Sequence, residues 1–104
     1  MNETLQKIDQ LVSSTPVVLF MKGTKHFPMC GFSARATAIL QELKVPFVDV
    51  NVLEDESIRE GIKQYGNWPT IPQLYVNKQL VGGSDIMMEM YQTGELQDLV
   101  KDIK

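Results

Sequence analysis

Residues 16–21 read Pro-Val-Val-Leu-Phe-Met, a continuous apolar run rich in β-branched residues, with Pro16 before it and Gly23 just after. The run is too short for a buried helix and lacks polar alternation, which predicts a strand buried on both faces. Such a strand belongs inside a layered fold, with helices over the sheet. The flanking segments supply them. Leu5, Ile8, Leu11 and Val12 recur at helical spacing and predict a short amphipathic helix that Pro16 closes. After a polar loop broken by Gly23 and Pro28, Cys30-Gly31-Phe32-Ser33 opens an Ala-rich helix to about Leu43. Phe32, Ile39, Leu40 and Leu43 are available for its inner side.

Phe47 to Val52 alternates enough to be a second strand, reached from that helix through Lys44-Val45-Pro46. Strand, helix and strand in succession form a βαβ unit, so the two strands are expected to be parallel. Ile58, Ile62 and Tyr65 fall on one helical face within 54–65, with acids early and Lys63 late, the polarity that suits a helix dipole. Residues 73–76 and 79–81 flank Asn77-Lys78, a two-residue connection of hairpin type. Gly82-Gly83 ends the hairpin, Ser84 or Asp85 is expected to cap a helical region through Tyr91, and beyond Gly94 a last short helix runs over 95–103. A parallel pair followed by a hairpin, covered by helices, is an α/β sandwich around a four-stranded mixed sheet. The 104 residues show no linker, repeat or low-complexity stretch and make one domain.

Ten basic against thirteen acidic residues give a net charge of −3. A mildly acidic surface disfavours non-specific nucleic-acid binding, so no nucleic acid is expected as partner. No run approaches the ~20 apolar residues of a membrane span, and the first ten residues lack the apolar region of a secretory signal. Cys30 is the only cysteine and His26 the only histidine. Internal disulfides, a C-x-x-C pair and a four-cysteine or Cys2His2 metal site are therefore excluded, and a reducing compartment is the natural home.

Cys30 lies where a buried strand has ended and a helix begins. Unpaired amide N–H groups and the positive helix end favour its thiolate, lowering its pKa from the free value of about 8.5, and Lys22, Lys25 and His26 are near enough in sequence to add to this. A buried structural thiol is the alternative reading, but Pro28-Met29 before it and Gly31 after it suggest an exposed corner. In Trp68-Pro69-Thr70-Ile71-Pro72-Gln73, Ile71-Pro72 is a candidate cis peptide that would leave the Ile71 backbone free for an extended peptide-like ligand; a simple strand-entry proline is the other possibility. At the start of the following helix, N–H groups near Gly83 and Ser84 could hold a carboxylate while Asp85 accepts from an amine. Lys22, Arg35 and Arg59 read as solvated charges, His26 as a loop residue, and Met87, Met88 and Met90 as core.

Together these segments resemble the monothiol glutaredoxin family, the branch with the active-site sequence Cys-Gly-Phe-Ser, here Cys30 to Ser33. The resemblance extends over Phe20-Met21-Lys22-Gly23-Thr24, the long loop to Cys30, residues 68–73, and Val81-Gly82-Gly83-Ser84-Asp85-Ile86. It implies the thioredoxin fold in a single glutaredoxin domain over 1–104. It also implies a glutathione site in which Lys22 and Arg59 hold the glycine carboxylate, the Ile71 backbone before cis-Pro72 pairs with the cysteinyl unit, Ser84 and Asp85 take the γ-glutamyl end, and Phe32 lies beside the thiol. Many relatives carry a second cysteine where this chain has Ser84, so a resolving-cysteine mechanism is not expected.

The family's usual role is to carry a [2Fe-2S] cluster at a homodimer interface. Such a cluster wants four thiolates; two copies of Cys30 and two glutathiones supply them. The resemblance thus implies a dimer when cluster-bound and a monomer when cluster-free, with transfer to acceptor proteins, a BolA-type partner, and a cytoplasmic setting. The competing reading is a weak glutathione-dependent oxidoreductase that removes glutathione from mixed disulfides through Cys30.

Overall fold

The computed structural model describes residues 2–103; Met1 and Lys104, the two ends of the expected domain, lie outside the described residues. Four strands, β1 (Val17–Met21), β2 (Val48–Asn51), β3 (Gln73–Val76) and β4 (Gln79–Gly82), form one sheet in the order β2-β1-β3-β4. β1 is parallel to β2 and antiparallel to β3, and β3 is antiparallel to β4. The strand from the apolar run is therefore interior, with all five residues buried.

Successive strand side chains point to opposite faces, and β1 divides its residues between two cores accordingly. Val17, Leu19 and Met21 pack with Leu74 and Val76 beneath α2 (Gly31–Glu42), α4 (Ser84–Thr93) and α5 (Glu95–Val100). Val18 and Phe20 pack with Tyr75 beneath α1 (Glu3–Ser14) and α3 (Glu56–Gly66). Met87 is fully buried and Met88 and Met90 pack against the first core, as expected of the methionine run. Among the described residues no helix is long and apolar enough to cross a membrane.

Boundaries shift where side chains capture the backbone. β2 stops at Asn51, because its Oδ1 accepts the Leu53 N–H at 3.0 Å and turns the chain into a 3-10 turn, Val52–Glu54. Consequently α3 starts at Glu56 rather than Glu54, with Asp55 as N-cap accepting from the amides of Ser57 (3.0 Å) and Ile58 (3.3 Å). The hairpin forms as expected, with Asn77 (φ 50°) and Lys78 (φ 71°) both left-handed, the twist a two-residue turn requires.

Three expectations are corrected. The N-cap of α4 is Gly83; Ser84 and Asp85 are already helical, and among the described residues no side chain caps this end. The last helix ends at Val100, short of Ile103. Phe32 does not join the core under α2. It stands 57% exposed, while Ile39 and Leu40 fill the inner side.

Candidate functional site

The loop from β1 to α2 is held at both ends and across its middle. Met29 N–H donates to Lys22 O (2.9 Å), Thr24 and Phe27 exchange backbone bonds of 3.2 and 3.1 Å, and Gly23 N–H donates to Asn51 Oδ1 (2.9 Å). Gly23 sits at φ 89°, where a Cβ would come within 2.5 Å of Phe27 O and 2.6 Å of Met29 N; only glycine permits that closure. Phe27 and Met29 in this loop are 78% and 67% exposed.

Cys30 is the N-cap of α2, with its Sγ accepting the Ser33 N–H at 3.4 Å. Ser33, fully buried, accepts the Lys22 N–H on Oγ at 3.0 Å, and that Oγ lies 3.4 Å from Cys30 Sγ. In the thiol form the S–H donates to Ser33 Oγ. Once the sulfur ionises, the hydroxyl proton turns to donate to it, because the oxygen is already accepting from Lys22. Burial alone would push the thiol up. It is outweighed by the hydrogen bonds from the Ser33 hydroxyl, the Ser33 amide and the Phe32 amide, and by the Lys22 ammonium, so the net pKa falls below the ordinary thiol value. Of Lys22, Lys25 and His26, only Lys22 contributes. Lys25 is turned away, its N–H on Asp49 Oδ2 (2.8 Å), its Nζ on Phe47 O (3.1 Å) and over the Phe47 ring.

Beside the thiol runs a groove of about 430 Å³. Lys22, Phe32, Arg59, Ile71, Pro72, Ser84 and Asp85 all line it, so residues from both halves of the chain converge there. Cys30 is not in the lining, though Phe32 and Lys22, which bear on the thiol, are. The Ile71-Pro72 bond is cis; Ile71 precedes Gln73, the first residue of β3 paired to β1. Lys22, Arg59 and Lys63 give one part of the groove cationic character, moderated by the Arg59–Glu56 (3.9 Å) and Lys63–Glu60 (3.3 Å) pairs. At the α4 end, Ser84 Oγ and Trp68 Nε1 are buried without a hydrogen-bond partner among the described residues. A buried polar atom left unpaired costs about 1–3 kcal/mol, so this end is suited to a polar occupant.

Sequence reasoning missed two participants. Lys63 also lines the groove; it lies four residues after Arg59 on α3, a helical spacing that puts both on one face and could have revealed it. Arg35, read as a solvated charge, is indeed solvent-exposed, but the sequence does not show that it pairs with Asp85 at 3.3 Å and lies 6.0 Å from the Phe32 ring centre, linking α2 to α4 beside the groove.

The Glutaredoxin family model matches residues 17–81. A curated protein of Synechocystis, described as an uncharacterized monothiol glutaredoxin ycf64-like, is 58% identical over 99 residues, covering 95% of this chain and 92% of its own. The chain belongs to the monothiol glutaredoxin family. The solution structure of reduced poplar apo GrxS14 superposes with a TM-score of 0.82 at 52% identity, over 92% of this chain and 88% of the other. A crystal structure of a buckwheat glutaredoxin–glutathione complex superposes at 0.84, with 25% identity over 95% and 88% of the two chains. The glutaredoxin version of the thioredoxin fold, expected from the motifs, is therefore the fold of this chain.

Proposed function

We propose that this chain binds glutathione in the groove beside Cys30 and, as a pair of chains, carries a [2Fe-2S] cluster for delivery to acceptor proteins. The observation that carries the reading is the joining of one thiolate-favoured cysteine to a groove with cations at one end and unpaired donors at the other. Glutathione has a glycine carboxylate that suits Lys22 and Arg59, a peptide-like middle that suits the Ile71 backbone before Pro72, and a zwitterionic γ-glutamyl end that suits Ser84, Asp85 and the first turn of α4. The glutathione bound by the buckwheat relative supports the same ligand here.

The donor set fits a shared cluster. Among the described residues no three His, Cys, Asp or Glu side chains gather where they could hold a metal ion. With Cys30 the only cysteine, a four-thiolate cargo shared by two chains would take one ligand from each Cys30, and two bound glutathione thiolates would complete the set. Phe27, Met29 and Phe32, all within three residues of Cys30 in sequence, are exposed apolar side chains that a second copy could cover. Because half the ligands are not covalently part of the protein, the cargo can leave by ligand exchange, and its loss returns monomers. A BolA-type protein could take the place of the second copy. A lone cysteine, with no partner in the chain for an internal disulfide, fits a cytoplasmic setting.

Anaerobic assembly with iron, sulfide and glutathione tests this. The expected product is coloured, elutes as a dimer, and is lost in Cys30→Ser; a colourless monomer would overturn the reading.

The lowered thiol pKa also favours a second reading. Cys30 thiolate attacks the glutathione sulfur of a mixed disulfide, releasing the other thiol, and a second glutathione thiolate then attacks, giving oxidised glutathione and free Cys30. Rapid turnover of a small mixed disulfide with glutathione and its reductase would favour this chemistry; turnover near background would argue for carriage.

A further inference from the structure

We infer that Gln73 is a positioning residue that holds the groove wall formed by residues 68–72, and so governs how tightly the groove grips its ligand. Gln73 is a fully buried polar residue at the first position of β3. Its side chain folds back along the chain. Nε2 donates to Trp68 O at 3.0 Å and Thr70 O at 3.2 Å, using both of its hydrogens. Oε1 accepts from the Tyr75 hydroxyl at 3.0 Å. The amide orientation is determined by these partners: flipped, its carbonyl would face two other carbonyls.

The far end of this strut is anchored in the core. Tyr75 is buried, packs edge-on against Phe20 with ring centres 5.7 Å apart, and lies 5.9 Å from Tyr65. Gly66 leaves it room, since a Cβ there would stand 2.8 Å from Gln73 Oε1 and run into the Tyr75 hydroxyl. A continuous path therefore leads from the sheet through Tyr75 and Gln73 to the backbone of Trp68 and Thr70, whose side chains line the groove along with Ile71 and Pro72. Among the described residues, only Gln73 Nε2 donates a hydrogen bond to the Thr70 carbonyl and ties it to the body of the protein. No apolar side chain of similar length supplies those donors, and asparagine is one carbon too short to span the same gap.

This inference rests on the groove being the ligand site, and the experiment separates the two. Backbone 15N order parameters of ligand-free Gln73→Met report the strut directly. We expect Thr70 and Ile71 to fall from about 0.85 to below about 0.6, while β1 amides stay unchanged. A general loss of stability would not produce so local a change. Glutathione affinity should weaken on the order of tenfold, the cost of ordering the loosened wall again when the ligand binds. Should Gln73→Met fail to fold, Tyr75→Phe removes the hydroxyl that orients Oε1 and should shift both readouts in the same direction by less. Order parameters unchanged in whichever variant folds, or lowered with glutathione affinity intact, would overturn the positioning role. Failure of the wild-type chain to bind glutathione would instead refute the ligand assignment, and the strut would still be judged by the order parameters.

Discussion

Replacing Ser33 with alanine removes one oxygen that does two things at once: it accepts the Lys22 N–H at 3.0 Å and, 3.4 Å from Cys30 Sγ, its hydroxyl donates a hydrogen bond to the thiolate. A hydrogen bond to an ionised group is worth about 1.5–3 kcal/mol. The long contact and the solvent at this partly exposed thiol reduce that, and we take about 1 kcal/mol after screening. That lowers the thiolate fraction about fivefold wherever the thiol form dominates. A more basic thiolate is also a better nucleophile, with a Brønsted slope of about 0.4–0.5, which returns about twofold. Alkylation of Ser33→Ala by iodoacetamide should therefore be about 2.5-fold slower than wild type on the acid side and about twofold faster on the alkaline side. The two pH profiles should cross, with the variant's midpoint at higher pH. Unchanged far-UV circular dichroism confirms that the comparison is between folded proteins. Coincident profiles, or a variant midpoint at lower pH, would refute the claim that Ser33 sets the thiol's acidity.

Leu19→Ala, at a fully buried position of the interior strand, should destabilise the chain by about 2–5 kcal/mol in urea unfolding without exposing a new groove. Asp55→Ala should lower Tm, because the carboxylate caps α3 through the Ser57 and Ile58 amides. The Ser57 hydroxyl, foremost, holds the Asp55 carboxyl below the usual carboxylate range. Its contribution is accordingly complete above the unfolded-state pKa and lost as pH falls through the lower folded value; the stability gap between wild type and Asp55→Ala should close in acid. The thiol follows the same sign: wild type should gain stability over Cys30→Ala as pH rises through the lowered folded pKa, levelling off above the ordinary thiol value. Gly31→Ala adds a Cβ with nothing within 4 Å, so Tm should hold or rise; cluster assembly should nonetheless weaken, since that open space adjoins the thiol where a second copy would approach.

The central strand was legible because burial on both faces leaves no polar alternation, and β1 is buried at every position. The convergence of Lys22, Arg59, Ile71 and Ser84 came from the family resemblance, since nothing in spacing alone brings residues so far apart into one groove. Cap assignments failed at α4 because serine and aspartate are ordinary capping residues; that extended Gly83 takes the position depends on how β4 delivers the chain. Helical periodicity puts Phe32 on the apolar side of α2 without saying whether that apolar surface meets the protein's own sheet or faces outward, and it faces outward. The Arg35–Asp85 pair joins residues 50 apart in sequence and leaves no local trace. Gln73 looked like one more strand residue, since its role depends on a side chain that turns back on its own approach loop.

The most direct test of the whole account is the native mass of the species assembled anaerobically from this chain, iron, sulfide and glutathione. The account predicts two chains, one [2Fe-2S] unit and two glutathiones in a single complex, absent when Cys30 is replaced by serine. A cluster bound to one chain, or a dimer that holds a cluster without glutathione, would contradict it.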